Sequence, residues 1–134
     1  MCPEIDTINT FEQDVLLSTD SLIYLETDVL FTRPPEDLWK VFNKFNASQL
    51  AALAHEGENT PIGWYNKFAL HPYYGQLGIN SGVMLMNLTR MRKINWSDMV
   101  LKIFRMYKPA LLSVDQDILN IIFYFHPGNI NANS

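Results

Sequence analysis

The chain has 134 residues, 48% hydrophobic and 13% aromatic, with 14 acidic and 10 basic side chains and a net charge of −4, a composition that fits one globular α/β unit without repeats or low-complexity tracts. No apolar stretch approaches the ~18 residues of a membrane span, no signal peptide is recognisable, and the single Cys2 excludes an internal disulfide framework or a cysteine metal cluster. The longest basic run, Arg90-Met91-Arg92-Lys93, is too short for the stripe that nucleic acid requires, so no nucleic-acid partner is expected.

Residues 1–28 hold seven of the fourteen acidic side chains and no Lys or Arg, which leaves ten basic against seven acidic groups in the remainder. That leader ends in the apolar run Leu22 to Leu30, which predicts a buried strand over 21–28 closing on Glu26 and Asp28. In an extended chain residues two apart share a side, so these carboxylates can hold one hard cation such as Mg²⁺ or Mn²⁺ with Thr27 facing away. A divalent ion held by two carboxylates keeps open positions, which a nucleotide diphosphate can fill. The same spacing recurs at Glu4/Asp6, Glu12/Asp14, Glu56/Glu58 and Asp115/Asp117. Only the preceding strand separates Glu26/Asp28 from them, because open α/β sheets bind ligands at the carboxyl ends of strands. The plainer reading is a solvated strand end.

Pro34 and Pro35, followed by Glu36 and Asp37, open a short helix whose apolar side carries Leu38, Trp39, Val41, Phe42 and Phe45. A second strand is expected over Gln49 to Ala54, then a long loop from His55 to Ile79 rich in Gly, Pro and aromatic residues. Its rings could stack on a sugar or peptide, or pin the loop to the core. A polar turn at Gly78 to Ser81 then feeds a buried strand ending near Asn87, with Asn80 and Ser81 able to offer an amide and a hydroxyl and Gly82 admitting close backbone approach. A helix is predicted over Ser97 to Lys108, stopped by Pro109, and a last helix begins at Asp115, Gln116 and Asp117. Asp115 can cap that helix, or with Gln116 hold sugar hydroxyls. The sequons at Asn46, Asn87 and Asn95 permit glycosylation in a secretory lumen.

Three blocks in one order, Tyr24-Leu25-Glu26-Thr27-Asp28-Val29-Leu30, Asn80-Ser81-Gly82-Val83-Met84-Leu85-Met86-Asn87 and Asp115-Gln116-Asp117-Ile118-Leu119-Asn120, resemble glycosyltransferase family 8. Ile62-Gly63-Trp64-Tyr65-Asn66, His71-Pro72-Tyr73-Tyr74-Gly75 and Met86-Asn87-Leu88-Thr89-Arg90-Met91-Arg92 most resemble its eukaryotic glucoside xylosyltransferases. The resemblance covers roughly residues 19–126. It implies an α/β, Rossmann-like GT-A glycosyltransferase fold with a mixed central sheet, incomplete at both ends, between a divergent acidic leader (1–18) and a polar tail (127–134).

The resemblance further implies a retaining UDP-sugar transferase that moves xylose from UDP-xylose to O-linked glucose on EGF-like repeats of a glycoprotein acceptor in the Golgi or endoplasmic reticulum lumen. By the family pattern Glu26 and Asp28 match the Mn²⁺ ligands. Thr27, Asn80, Ser81 and Gly82 match the donor-binding stretch, and Asp115 and Gln116 the catalytic pair at the anomeric centre. Gln116 is an amide and a poor nucleophile, which favours front-face transfer in which the departing diphosphate helps deprotonate the acceptor and Gln116 stabilises positive charge on the sugar. Three departures stand out. Glu26 replaces an aspartate, residues 1–18 supply no cation, and none of His55, His71 and His126 sits in the family's closing metal motif. The alternative is a catalytically inactive, truncated or binding-only remnant of such a transferase.

Overall fold

A computed structural model describes residues 18–57 and 64–132. Cys2, Glu58, Ile62, Gly63 and all of the acidic leader but Ser18 lie outside them. The sheet has four strands in the order β1-β3-β2-β4, formed by Ser21–Leu25, Ala51–His55, Ile79–Asn87 and Ile130–Asn131 in chain order. β3 runs antiparallel to both β1 and β2, while β4 lies parallel to β2. The sheet is therefore mixed, and the carboxyl ends of β1 and β2 converge on the amino end of β3.

Helices α4 (Trp96–Tyr107) and α5 (Val114–Phe125) cover one face, each with a full apolar stripe. Met84 and Met86 of β3, Trp96, Val100, Ile118, Leu119 and Phe123 are sealed from solvent in the core between them, and the Trp96 and Phe123 rings pack 5.8 Å apart. Helix α3 (Leu88–Lys93) follows β3 directly. Asn87 caps it by accepting the Arg90 N–H at 3.0 Å, and buried Leu88 and Met91 hold it down. Short helices α1 (Pro35–Trp39) and α2 (Trp64–Phe68) complete the elements, α1 running into a 3₁₀ turn over Lys40–Lys44.

Several expectations are corrected by this arrangement. β1 stops at Leu25, where its pairing with β3 ends opposite Val83, and it is half-buried rather than buried because it stands at the edge of the described sheet. The long loop contains α2, in keeping with the rarity of structureless connections of that length. The short basic run also has a structural task, as Arg90 donates to the Asn46 and Gln49 carbonyls and Arg92 to the Thr19 carbonyl. The tail expected to be polar instead supplies β4, in which Ile130 is 4% exposed and the Asn129 carbonyl accepts the Leu50 N–H at 2.7 Å. An unpaired edge on β2 is thereby closed by backbone rather than by side-chain polarity.

Candidate active site

The register of β3 builds the site. Met84 stands opposite Leu53 on β2, but the next β2 residue, Ala54, stands opposite Asn80, so Ser81, Gly82 and Val83 have no partner on that side. This bulge turns the Ser81 N–H away from the ladder and toward α5, where it donates to Gln116 Oε1 at 3.2 Å, with Ser81 Oγ 3.4 Å from the same oxygen. On its other side Gly82 keeps β1 in place by accepting the Glu26 N–H at 3.0 Å.

Glu26 and Asp28 share a side, but not for the reason that strand parity gives. The chain leaves the sheet after Leu25 and reverses in a β-turn closed by Val29 N–H donating to the Glu26 carbonyl at 3.2 Å. Both side chains are exposed and, with Val29, Ala54, His55, Asn80, Gly82 and Val83, line one open cleft of about 340 Å³. Gly82 lets the Asn80 and Glu26 side chains come close to the backbone. A Cβ would come within 2.9 Å of Asn80 Oδ1 and 3.4 Å of Glu26 Oε2, so the carboxylate lies directly over the backbone. Two exposed carboxylates and an amide around an open cleft are a donor set suited to a hard divalent cation that retains free coordination positions. Among the described residues no group of three or more His, Cys, Asp or Glu side chains converges on such an ion. Thr27 occupies the turn between the two carboxylates, exposed and outside the lining of the cleft.

The amino end of α5 delivers Asp115 and Gln116, both half-buried. Asp115 does not cap the helix; its Oδ1 accepts the Gln116 N–H at 2.8 Å. The N-cap residue is Ser113, and fully buried Asp117 ties the incoming chain to the helix, its Oδ2 accepting the Leu112 and Ser113 N–H groups at 2.8 and 3.0 Å. One turn on, buried Asn120 clamps α5 to β3, its Oδ1 accepting the Ile79 N–H at 2.9 Å and its Nδ2 reaching the Ile79 carbonyl and the Tyr65 hydroxyl. Asn120 fixes the helix register that sets Gln116 beside Ser81.

Behind this layer Tyr65 and His71 of the aromatic segment are built into the core. Tyr65 packs against Gly78, which adopts φ +77°, and its hydroxyl donates to Asp117 Oδ1 at 3.0 Å. Burial and the adjacent Asp117 carboxylate push the Tyr65 phenol well above its ordinary range. His71, 7% exposed, has Nδ1 2.8 Å from the Pro72 carbonyl and Nε2 3.3 Å from Asp117 Oδ1. Both neighbours only accept and so favour the doubly protonated ring, with Nε2 at ion-pair distance from Asp117 but without an aligned hydrogen bond to it. Burial alone would lower the His71 pKa, but Asp117 and the Pro72 carbonyl outweigh it and hold it above the ordinary value. Burial would likewise raise Asp117; the His71 contact and the Leu112 N–H instead keep it below the usual carboxylate range.

Sequence reasoning missed Glu56. It counted Glu56 only as one of several acidic residues at i, i+2 spacing, yet Glu56 Oε2 accepts from Gln116 Nε2 at 3.1 Å and from Asn80 Nδ2 at 3.4 Å. The available signal was its place at the carboxyl end of β2, the same criterion that selected Glu26 and Asp28. The structure thus gathers Glu26, Asp28, Asn80 and Gly82 around one cleft and joins Asn80 through Glu56 to Gln116 and Ser81. Thr27 and Asp115 are not in the lining of that cleft, Thr27 lying in the turn between its two carboxylates and Asp115 next to Gln116 on α5.

The glycosyl transferase family 8 model matches residues 11–132. Glucoside xylosyltransferase 2 of Mus musculus is 51% identical over 124 residues, 84% of this chain and 28% of that protein. Glucoside xylosyltransferase 1 of Homo sapiens is 46% identical over 127 residues, 87% of this chain and 29% of that protein. The chain therefore spans less than a third of the curated relatives it matches. Two crystal structures share the fold at 22% identity and TM-score 0.72, each over 93% of this chain: apo mouse xyloside xylosyltransferase 1, covered over 49% of its length, and a galactosyltransferase, LgtC, with donor and acceptor sugar analogs, covered over 42%. The mixed four-stranded sheet with its helices is a part of the GT-A glycosyltransferase fold. By sequence match and fold together, the chain belongs to glycosyl transferase family 8.

Proposed function

We propose that this chain forms the donor-handling core of a retaining UDP-sugar transferase that moves xylose from UDP-xylose to O-linked glucose on EGF-like repeats of a glycoprotein acceptor. The observation that carries the reading is the single cleft lined by Glu26, Asp28, Asn80 and Gly82, joined through Glu56 to Gln116. The choice of xylose is supported by the names of the relatives at 46–51% identity. Glu26 and Asp28 would hold Mn²⁺, which when bound supplies Lewis-acid stabilisation of charge on the leaving diphosphate.

The remaining work falls to side chains. Asn80 and the Ser81–Gly82 backbone border the donor sugar, with Thr27 at the rim beside the nucleotide. Gln116 sets an oriented amide dipole against the positive charge that develops at the anomeric carbon, and Asp115 adds a carboxylate at the same helix end. An amide is a poor nucleophile for a double displacement, which favours attack of the acceptor hydroxyl from the face that the diphosphate leaves. A location in the Golgi or endoplasmic reticulum lumen belongs to the same proposal, and the sequon residues Asn46 and Asn95 are exposed on the fold.

The test is transfer itself. The protein, incubated with UDP-xylose, Mn²⁺ and an O-glucosylated EGF-like repeat, should add one pentose to the repeat, read by mass spectrometry, and Gln116→Ala should slow it by on the order of 100-fold. Undiminished transfer by Gln116→Ala would remove the role given to the amide. Donor binding without transfer would favour the binding-only alternative.

A further inference from the structure

We infer that Glu56 is a positioning residue that fixes the orientation of two side-chain amides, Gln116 and Asn80, at the donor end of the cleft. The inference rests on the reading of Gln116 given above for its catalytic meaning, but its physical content is independent of it. Glu56 leaves the carboxyl end of β2 with its own N–H donating to the Gly78 carbonyl at 2.9 Å, and Gly78 is in turn tied by its N–H to the Tyr74 carbonyl at 3.0 Å. From that anchored backbone Glu56 Oε2 reaches Gln116 Nε2 at 3.1 Å and Asn80 Nδ2 at 3.4 Å.

An amide has one accepting and one donating end, and a carboxylate only accepts. Gln116 is therefore held with Nε2 toward Glu56 and Oε1 toward the Ser81 N–H, 3.2 Å away, which can only donate. Rotating the amide by half a turn would set oxygen against carboxylate and NH₂ against N–H, breaking both contacts at once. Asn80 is held in the same way, with Nδ2 on Glu56 and Oδ1 on the Gly82 N–H at 2.8 Å. One carboxylate thus sets the direction of both dipoles. It also accounts for an amide rather than a carboxylate at position 116, because a second carboxylate 3.1 Å from Glu56 would be repelled.

The test reads the amide directly. In the ¹⁵N-labelled chain the Gln116 side-chain NH₂ signals, assigned by their loss in Gln116→Ala, should exchange slowly with water. Glu56→Ala should speed that exchange about tenfold or more, as expected when a charge-assisted hydrogen bond is removed. Glu56→Gln keeps an accepting oxygen at the same reach and should restore exchange to within about threefold of wild type, since the geometric role needs an acceptor rather than a charge. Thermal midpoints of the two variants should agree. Unchanged exchange in Glu56→Ala would overturn the inference, as would Glu56→Gln behaving like Glu56→Ala at an equal midpoint. If Glu56 governs exchange while Gln116→Ala transfers xylose at full rate, the positioning stands and the catalytic reading of Gln116 falls.

Discussion

Gly82 shows how little room a single residue leaves at this site. Its backbone is pinned between β1 and the Asn80 amide, and the Glu26 carboxylate lies over the space where a side chain would begin. In Gly82→Ala the added carbon would displace the Asn80 oxygen and push against Glu26 Oε2. The expected outcome is a roughly tenfold loss of Mn²⁺-supported UDP affinity with little change in thermal midpoint, because the strain is absorbed by side chains at an open cleft. Titration calorimetry of the two proteins checks this. At the residue scale the sequence was informative about identity and less so about cause. Glu26 and Asp28 were legible as a pair, yet a β-turn rather than strand parity puts them on one cleft. Asp115 looked like the helix cap, but Ser113 holds that position and the buried Asp117 side chain points back to accept the Leu112 and Ser113 N–H groups. Glu56 was hidden by the commonness of paired acids; what distinguishes it is contact across 60 positions of chain, which no local pattern encodes.

The elements that hydrophobic patterning predicts were read well, β2 and β3 among them, and the one that exists only through pairing was not. The helix predicted over Ser97 to Lys108 forms over Trp96–Tyr107, and the one expected from Asp115 forms over Val114–Phe125, because each carries a strong apolar stripe. β4 was missed, since two residues after Pro127-Gly128-Asn129 have no periodicity and their strand exists only through β2. Two substitutions test what holds the elements together. Asn120→Ala strands the buried Ile79 N–H and uncouples α5 from β3, which should cost about 2–4 kcal/mol of unfolding free energy. Ile130→Ala should cost about 2–3 kcal/mol through lost burial beside Leu50 and Ala51, an effect that a solvated tail would not show. Urea unfolding with unchanged m-value distinguishes a true stability loss in both cases.

Across the whole molecule the buried His71 and Asp117 pair links the segment before β3 to the start of α5, so its ionisation couples the site to global stability. The His71 pKa is raised on folding; its contribution is full below the unfolded value near ~6.5 and is lost as pH climbs through the folded value. The Asp117 pKa is depressed; its contribution is present above the unfolded value near ~3.9 and is lost as pH falls through the folded one. Thermal midpoints should therefore be highest from about pH 4 to 6.5 as far as this pair is concerned, and decline on the alkaline side once His71 releases its proton. His71→Ala should abolish that alkaline decline and lower stability by about 3–5 kcal/mol, since it leaves the Asp117 charge buried without its partner.

The proposed function requires a cation held by the Glu26 and Asp28 carboxylates. Mn²⁺ titrated into the protein in the presence of UDP, and followed by the loss of the free ion's paramagnetic resonance signal, reports that binding without requiring turnover. Saturable, UDP-dependent uptake by the wild-type chain, weakened about tenfold or more in Asp28→Ala at an unchanged thermal midpoint, is the expected result. Equal uptake by the two proteins, or UDP binding that ignores the metal, would contradict it.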